Sequence, residues 1–331
     1  KTISIIIAIF NRKDELFELL NSLIAQTDKN FEVIIVDDGS SVDLLPTVET
    51  FKEMLEIQYF KKTNSGPGLS RNYGAKRAKN DWLVFVDSDV IVEKDYIENI
   101  KKNLEKTDCA AFGGADKAHK GFNILQKAIS YSMTSVFTTG GIRGSKKAVT
   151  RFQPRSFNMG VNKEIFLKIG GFSEMRIGED PDLSMTIWEK GYKTAFFDDI
   201  GVYHKRRTDL GKFSKQVYQF GCARPILNQR HPNYVKPTFW FPTLFLLGYV
   251  AGILEYFLLH KGFVLACYGI YTFVIFFHAL LLTKNLAIAA QAIITTYIQM
   301  FSYGYGFLES WVKLNILRMK PEEAFPKHFH K

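Results

Sequence analysis

Apolar residues run along this chain in two rhythms. Ile3–Ile9 is a β-branched run of strand length, and Phe31–Val36, Ile57–Phe60 and Trp82–Val86 repeat it. Between these runs the apolar positions are spaced as on helices. Leu16, Leu19, Leu20 and Leu23 follow Asn11, and Val48–Leu55 and Leu69–Ala78 come later. Strand, helix, strand, helix with uninterrupted apolar strands predicts an α/β domain: a mostly parallel sheet covered by helices on both faces. Ligands of such sheets bind beyond the carboxyl ends of the strands. Three strands end in polar turns, at Asn11, Asp37–Asp38 and Asp87–Asp89, which predicts a single polar rim.

The second rhythm begins near residue 239. Phe239–Leu259, Phe263–Leu282 and Leu286–Phe307 are almost wholly apolar, with breaks at His260–Gly262 and Lys284–Asn285. Each has roughly the 20 residues a helix needs to span hydrocarbon. The third run carries Gln291, Thr295, Thr296, Gln299 and Ser302, so it is expected inside a bundle or as a re-entrant piece. Phe239, Trp240, Phe241 and Trp311 mark the edges, as interfacial aromatics do. Residues 205–237 hold eight Lys/Arg and one acid, Asp209, with Phe213, Val217 and Phe220 at helical spacing. This predicts a basic amphipathic segment on an anionic leaflet. The expected division is a head over 1–204, the interfacial segment 205–237, about three membrane helices over 238–309 and a basic tail 310–331. Three crossings from a cytoplasmic head would put the tail outside, while its basic balance favours the inside.

Composition narrows the function. The 331 residues are 47% apolar, which excludes a disordered chain. Ten Pro and 24 Gly without a triplet period exclude a fibrous one. Three cysteines are too few for a disulfide framework or a thiolate metal site, so a reducing compartment is expected. The formal charge of +10 fits a membrane surface better than nucleic acid, which is not an expected partner. Ile3–Ile9 is followed at once by Asn11–Arg12–Lys13–Asp14, so no signal peptide is read there.

The acids carry the chemical signal. Asp87 and Asp89 flank Ser88 at a buried strand's end, where two carboxylates repel unless a cation shares them. Mg²⁺ or Mn²⁺, which take oxygen ligands and bridge to phosphates, fit that pair; a solvated turn is the plain alternative. The loop Asn64–Asn72 contains Gly66 and Gly68 and opens a helix, where backbone N–H groups and Arg71 attract an anion. Gly178–Glu179–Asp180–Pro181–Asp182–Leu183 is an acidic patch at a helix start, with Pro181 in the first turn. Asp180 as a helix cap explains one of these acids, and three in four positions suggest a site.

These motifs together, Ile5–Asn11, Val36–Ser40, Asn64–Asn72, Val86–Asp89 and Gly170–Leu183, resemble family 2 glycosyltransferases of the GT-A fold over roughly residues 1–230. The resemblance implies inverting sugar transfer from a nucleotide-diphospho-sugar, a UDP-sugar favoured, with Mg²⁺ or Mn²⁺. It implies that Ile9 and Asn11 cradle the nucleotide and that Asp38 reads the base. Gly66, Arg71, Asp87 and Ser88 are placed at the diphosphate and donor sugar, with Asp87, Asp89 and His204 on the metal. Asp180 is implied as the catalytic base, with Glu179, Asp182 and Arg224 on the acceptor side. Gln216–Arg224 departs from the Gln-x-x-Arg-Trp box of processive synthases, which argues against a cellulose-type enzyme. The basic stretch 140–155 and the helical Phe122–Phe137 are expected to line the acceptor side.

A membrane-anchored enzyme acting on a lipid-linked glycan or polysaccharide is therefore expected, at the inner or plasma membrane with a cytoplasmic head. The alternatives are transfer to polyprenyl phosphate itself, or a non-catalytic membrane scaffold on a sugar-nucleotide fold. A nucleotidyltransferase is disfavoured, because Ile9–Lys13 lacks a Gly-rich basic loop. Homo-oligomerisation is left open.

Overall fold

The computed structural model describes residues 1–117, 121–139, 152–204 and 209–329, and only the backbone of Lys117 and His204. The chain forms two compact units. One contains residues 1–117, 146–205 and 327–331, the other 118–145 and 206–326. The sequence division had left 118–145 with the head and 327–331 with the tail.

The first unit holds β1 (Ile3–Ile9), β2 (Phe31–Asp37), β3 (Ile57–Lys61), β4 (Trp82–Asp87), β5 (Val90–Val92), β6 (Ala111–Lys117), β7 (Asn158–Asn162) and β8 (Thr194–His204). They make one sheet in the order β3-β2-β1-β4-β7-β6-β8-β5. β3, β2, β1 and β4 run parallel, whereas β7 is antiparallel to β4 and β6, and β5 to β8. The sheet is thus mixed beyond β4. Its helices are α1 (Lys13–Ile24), α2 (Leu45–Glu49), α3 (Pro67–Ala75), α4 (Tyr96–Lys106), α7 (Lys163–Lys168) and α8 (Glu179–Glu189). The helix expected over Val48–Leu55 is shorter and earlier, with Pro46 in its first turn.

Alternate residues of the buried strands serve two cores, as a period of two requires. Ile3, Ile5, Ile7 and Ile9 pack with Leu16, Leu19, Leu20 and Leu23 of α1 and with Ile97 and Ile100 of α4. Ile6, Ile34, Val36, Leu83 and Phe85 pack on the other face with Ala75, Phe166, Leu183 and Ile187. Each Ile, Leu, Val or Phe side chain among them contributes about 1.5–3 kcal/mol on burial. Both faces are dry, which is why the strands read as unbroken apolar runs. Residues 327–329 also belong here. The His328 carbonyl accepts from Arg176 N–H at 2.7 Å, and Phe329 bridges to Met175.

The second unit holds α5 (Ile124–Thr134), α6 (Val136–Thr139), α9 (Leu210–Arg230), α10 (Phe241–Leu259), α11 (Phe263–Thr283) and α12 (Leu286–Trp311). Among the described residues three helical stretches are long and apolar enough to cross a membrane: Pro237–Leu259, Phe263–Thr283 and Leu286–Ile316. The third is the most enclosed, with Ala289, Ala292, Thr295 and Thr296 buried, which matches its polar content. The apolar stripe of α9, expected to face lipid, instead packs on α12. The reason is a seam of small residues: a Cβ on Gly221 would lie 2.3 Å from the Tyr303 carbonyl oxygen, and one on Gly306 would lie 2.4 Å from that of Tyr218. Lys205, Arg206 and Arg207 lie outside the described residues.

Candidate active site

The strand register sets the rim. Ile9 of β1 stands opposite Asp37 of β2, and Ala8 opposite Asp87 of β4, so the three polar turns emerge together. Asn11 takes a left-handed φ of 54°, which asparagine tolerates. Its N–H donates to Ser40 Oγ at 2.9 Å and its Oδ1 accepts from Ser41 N–H at 2.8 Å. The buried Ile9 offers its carbonyl to the Asp38 N–H at 2.8 Å. Asp38 is itself buried. Its carboxylate accepts from Ser65 N–H at 2.9 Å, Gly66 N–H at 2.7 Å and Lys62 Nζ at 2.6 Å. The carboxylate expected to read a base thus ties down the loop that opens α3. Gly66, with φ of 88°, ends that loop at the N-cap of α3.

Arg71 of α3 is the centre of the arrangement. It is 3% exposed, and its guanidinium donates to Asp87 Oδ1 at 2.7 Å and to Glu179 Oε1 at 3.3 Å. Phe172 lies under it, 5.4 Å from ring centroid to Cζ. Burial pulls the guanidinium pKa down, but Asp87 and Glu179 outweigh it and hold it above its ordinary value. One arginine therefore joins Asp87 at the strand end to Glu179 at the start of α8. The resemblance had placed it on the donor's diphosphate.

Asp87 and Asp89 lie on the turn between β4 and β5, with the buried Ser88 between them. Arg12 Nη1 reaches Asp89 Oδ2 at 2.5 Å. Among the described residues no third His, Cys, Asp or Glu joins this pair. Two carboxylates two positions apart offer the hard oxygen donors that Mg²⁺ or Mn²⁺ takes, so the residues present would suit a divalent ion. The backbone of His204 pairs with Val90, next to Asp89; its side chain lies outside the described residues.

At α8 the N-cap is Gly178, in a left-handed conformation, with no side-chain cap. The capping alternative for Asp180 therefore does not hold: Glu179, Asp180 and Asp182 all lie within the first turn. Burial pushes the Glu179 carboxyl up to about 7, Asp180 beside it adds to the rise, and Arg71 opposes it. Asp180 is partly open, with Arg155 Nη1 3.6 Å from its Oδ2. Asp182 is 3% exposed.

Sequence reading missed Arg12 and Lys62 as partners of the acids, and counted Arg155 only within a basic run. It did single out the Gly170–Gly171–Phe172 turn. Asn72 Nδ2 donates to the Phe172 carbonyl at 2.7 Å, and Phe172 N–H returns to Asn72 Oδ1 at 2.9 Å. Gly171, with φ of 72°, leaves 2.5 Å between a Cβ placed there and Asn72 Oδ1, so only glycine fits. This clasp holds α3 against the segment leading to α8. Arg224 belongs to the second unit, with its Cζ 4.3 Å over the Phe239 ring. Of the basic stretch 140–155, residues 140–151 lie outside the described residues.

Residues 4–169 match the model of glycosyl transferase family 2. An uncharacterised glycosyltransferase of Haemophilus influenzae is 32% identical over 202 residues, 59% of this chain and 64% of that protein. The chain spans less than two thirds of the length of such curated relatives, and only 18% of a Rickettsia felis one. Among solved structures, Staphylococcus aureus TarS 1–349 with UDP-GlcNAc is similar over 93% of this chain and 91% of that one, at TM-score 0.51 and 17% identity. The mannosyltransferase PcManGT of Pyrobaculum calidifontis with GDP-Man and Mn²⁺ is similar over 96% and 88%, at TM-score 0.55 and 17% identity. At these identities the likeness concerns the fold.

Proposed function

Because the chain belongs to glycosyl transferase family 2, we propose that it moves a sugar from a nucleotide-diphospho-sugar to a lipid-linked glycan or polysaccharide at a membrane, with inversion. The observation that supports this reading is the buried Arg71, which ties Asp87 at the end of β4 to Glu179 at the start of α8. The polar rim takes the nucleotide end of the donor, with Asn11, Ile9 and the Asp38-anchored loop shaping it. A UDP-sugar is the favoured donor; TarS was solved with UDP-GlcNAc and PcManGT with GDP-Man.

Asp87 and Asp89 would hold the divalent ion, which when bound supplies positive charge where the leaving diphosphate becomes negative. Arg12 pairs with Asp89 and offsets its charge. Asp180 accepts the proton of the acceptor hydroxyl, held in place by Arg155. Glu179, largely enclosed, orients the first turn of α8 through Arg71. One displacement follows, and no nucleophilic serine or cysteine takes part. The apolar helices α10–α12 anchor the enzyme beside a membrane-borne acceptor.

The test is a panel of nucleotide sugars offered to the purified full chain with and without Mg²⁺ or Mn²⁺, scored for transfer or hydrolysis. Metal-dependent turnover of one donor is expected, and Asp89→Ala is expected to abolish it while leaving the fold intact. Full activity of that variant would remove the metal assignment, and inactivity of the wild type on every donor would remove the donor class.

A further inference from the structure

We infer that α5 and α6 form a fourth membrane element, which enters the hydrocarbon layer beside α11 and α12 without crossing it and is covered by lipid acyl chains. This rests on reading α10–α12 as membrane spans.

The partners of this segment are the first observation. Tyr131 clusters with Ile275 and Ala279 of α11 and with Ala289 and Ala292 of α12. Its hydroxyl meets His278 Nδ1 at 2.8 Å and the Ile275 carbonyl at 3.3 Å. Thr295 Oγ1 of α12 donates to the Ala128 carbonyl at 3.1 Å. Tyr271, close to the middle of the 21-residue α11, donates its hydroxyl to the Phe137 carbonyl at 3.1 Å. These partners run from the middle of α11 toward its C-terminal end and through the first ten residues of α12, so the segment lies along the spans and not only beside the turn that joins them. They also explain a histidine within a span: His278 is met by Tyr131 and edge-on by Phe137, at 4.8 Å between centroids.

The second observation is the backbone. The break at Ser135 frees carbonyls that water would ordinarily solvate. Here side chains take that place. Thr138 Oγ1 donates to the Ser132 carbonyl at 2.5 Å, and Thr139 Oγ1 to that of Met133 at 3.3 Å, each six residues back. Irregular backbone at membrane depth requires such internal partners.

The third is the outer surface. Val136 is 67% exposed and Phe137 48%, on a par with Ile270 and Phe273 of α11 at 67% and 63%. Between Gly121 and Thr139 the sequence has a single charge, Lys127, close to the start of α5. An exposed Val–Phe step continuous with lipid-facing helices matches acyl chains. It does not match water, nor a charged partner.

The test places a fluorophore on Val136→Cys in the full chain, in a Cys109→Ser/Cys267→Ser background, reconstituted in phosphatidylcholine vesicles brominated at mid-chain. Phe273→Cys on α11 is the reference within the span, and Met54→Cys, exposed on the head, is the reference in water. The expected result is a loss of fluorescence at Val136 as large as at Phe273, with none at Met54. Quenching at Val136 no greater than at Met54, while Phe273 is quenched, overturns the inference and leaves the spans standing. So does a disulfide-linked dimer of the unlabelled Val136→Cys chain, formed with an added oxidant, alongside an unquenched label in the labelled sample; that pair of results would put a second copy on this face. An unquenched Phe273 would overturn the membrane reading itself, and this inference with it.

Discussion

Glu179 and Asp180 are neighbours in one helical turn and meet opposite environments. Asp180 is partly open beside Arg155, as its proposed role of proton acceptor requires. Asp180→Asn is expected to keep donor affinity within a few-fold and to cut transfer by roughly 10²–10⁴. A normal rate with a lowered melting midpoint would end the catalytic role. Glu179 is shut in against Arg71, Asp87 and Asp180, and its carboxyl is raised from 4.5 to about 7. Between those pH values the folded chain holds a proton that the unfolded chain has released, so stability falls as pH rises through that window. Glu179→Gln should flatten this slope. From pH 5 to pH 8 the wild type is expected to lose on the order of 2–3 kcal/mol more than the variant, read from denaturant melts at both pH values. Parallel slopes would refute it. The acids were legible in the sequence because a strand end and a helix start announce them. Arg12 was not, since its partner lies 77 residues on and nothing local marks the pair. Arg71 was legible as a charge but not as an internal tie, because burial is a property of the fold.

At the scale of elements, periodicity told the helices but not their partners. The stripe of Phe213 and Val217 looks the same whether lipid or a helix covers it. Gly221 and Gly306 decide the matter, by letting the backbones of α9 and α12 approach. Gly221→Val should force them apart and cost about 1–3 kcal/mol, the usual range for overpacking. Gly269→Ala in α11 is the control, since a Cβ there meets nothing within 4 Å. Thermal midpoints in detergent that fall for the first and hold for the second are expected; equal midpoints would mean that the seam carries no load. The strands and the rim were read correctly because each apolar run ends in its own polar turn. The antiparallel return of β7 was not read, because Asn158–Asn162 lacks a marked apolar run. The break of the 122–137 helix at Ser135 was missed as well, since no Pro or Gly stands there.

For the whole molecule, the chain's path matters as much as its two units. It passes from one to the other at 117/118, 145/146, 205/206 and 326/327. A chain ended at residue 237 would therefore lose more than an anchor. It would lose Phe329 from Met175 and the His328 carbonyl from Arg176, just before the acids of α8. It would also leave α5 without α11 and α12. A protease site inserted between residues 205 and 206 tests the same path. After cleavage the two fragments are expected to co-purify on a single tag until denatured; separation in mild detergent would refute this. The four passages thus make each half of the polypeptide a non-covalent guest in the other, with 121–139 packed among the helices of the second unit and 327–329 against the first. The chain is therefore expected to act as a pair of complementing fragments that happen to share one ribosome, and separate expression of 1–205 and 206–331 in one cell should rebuild it.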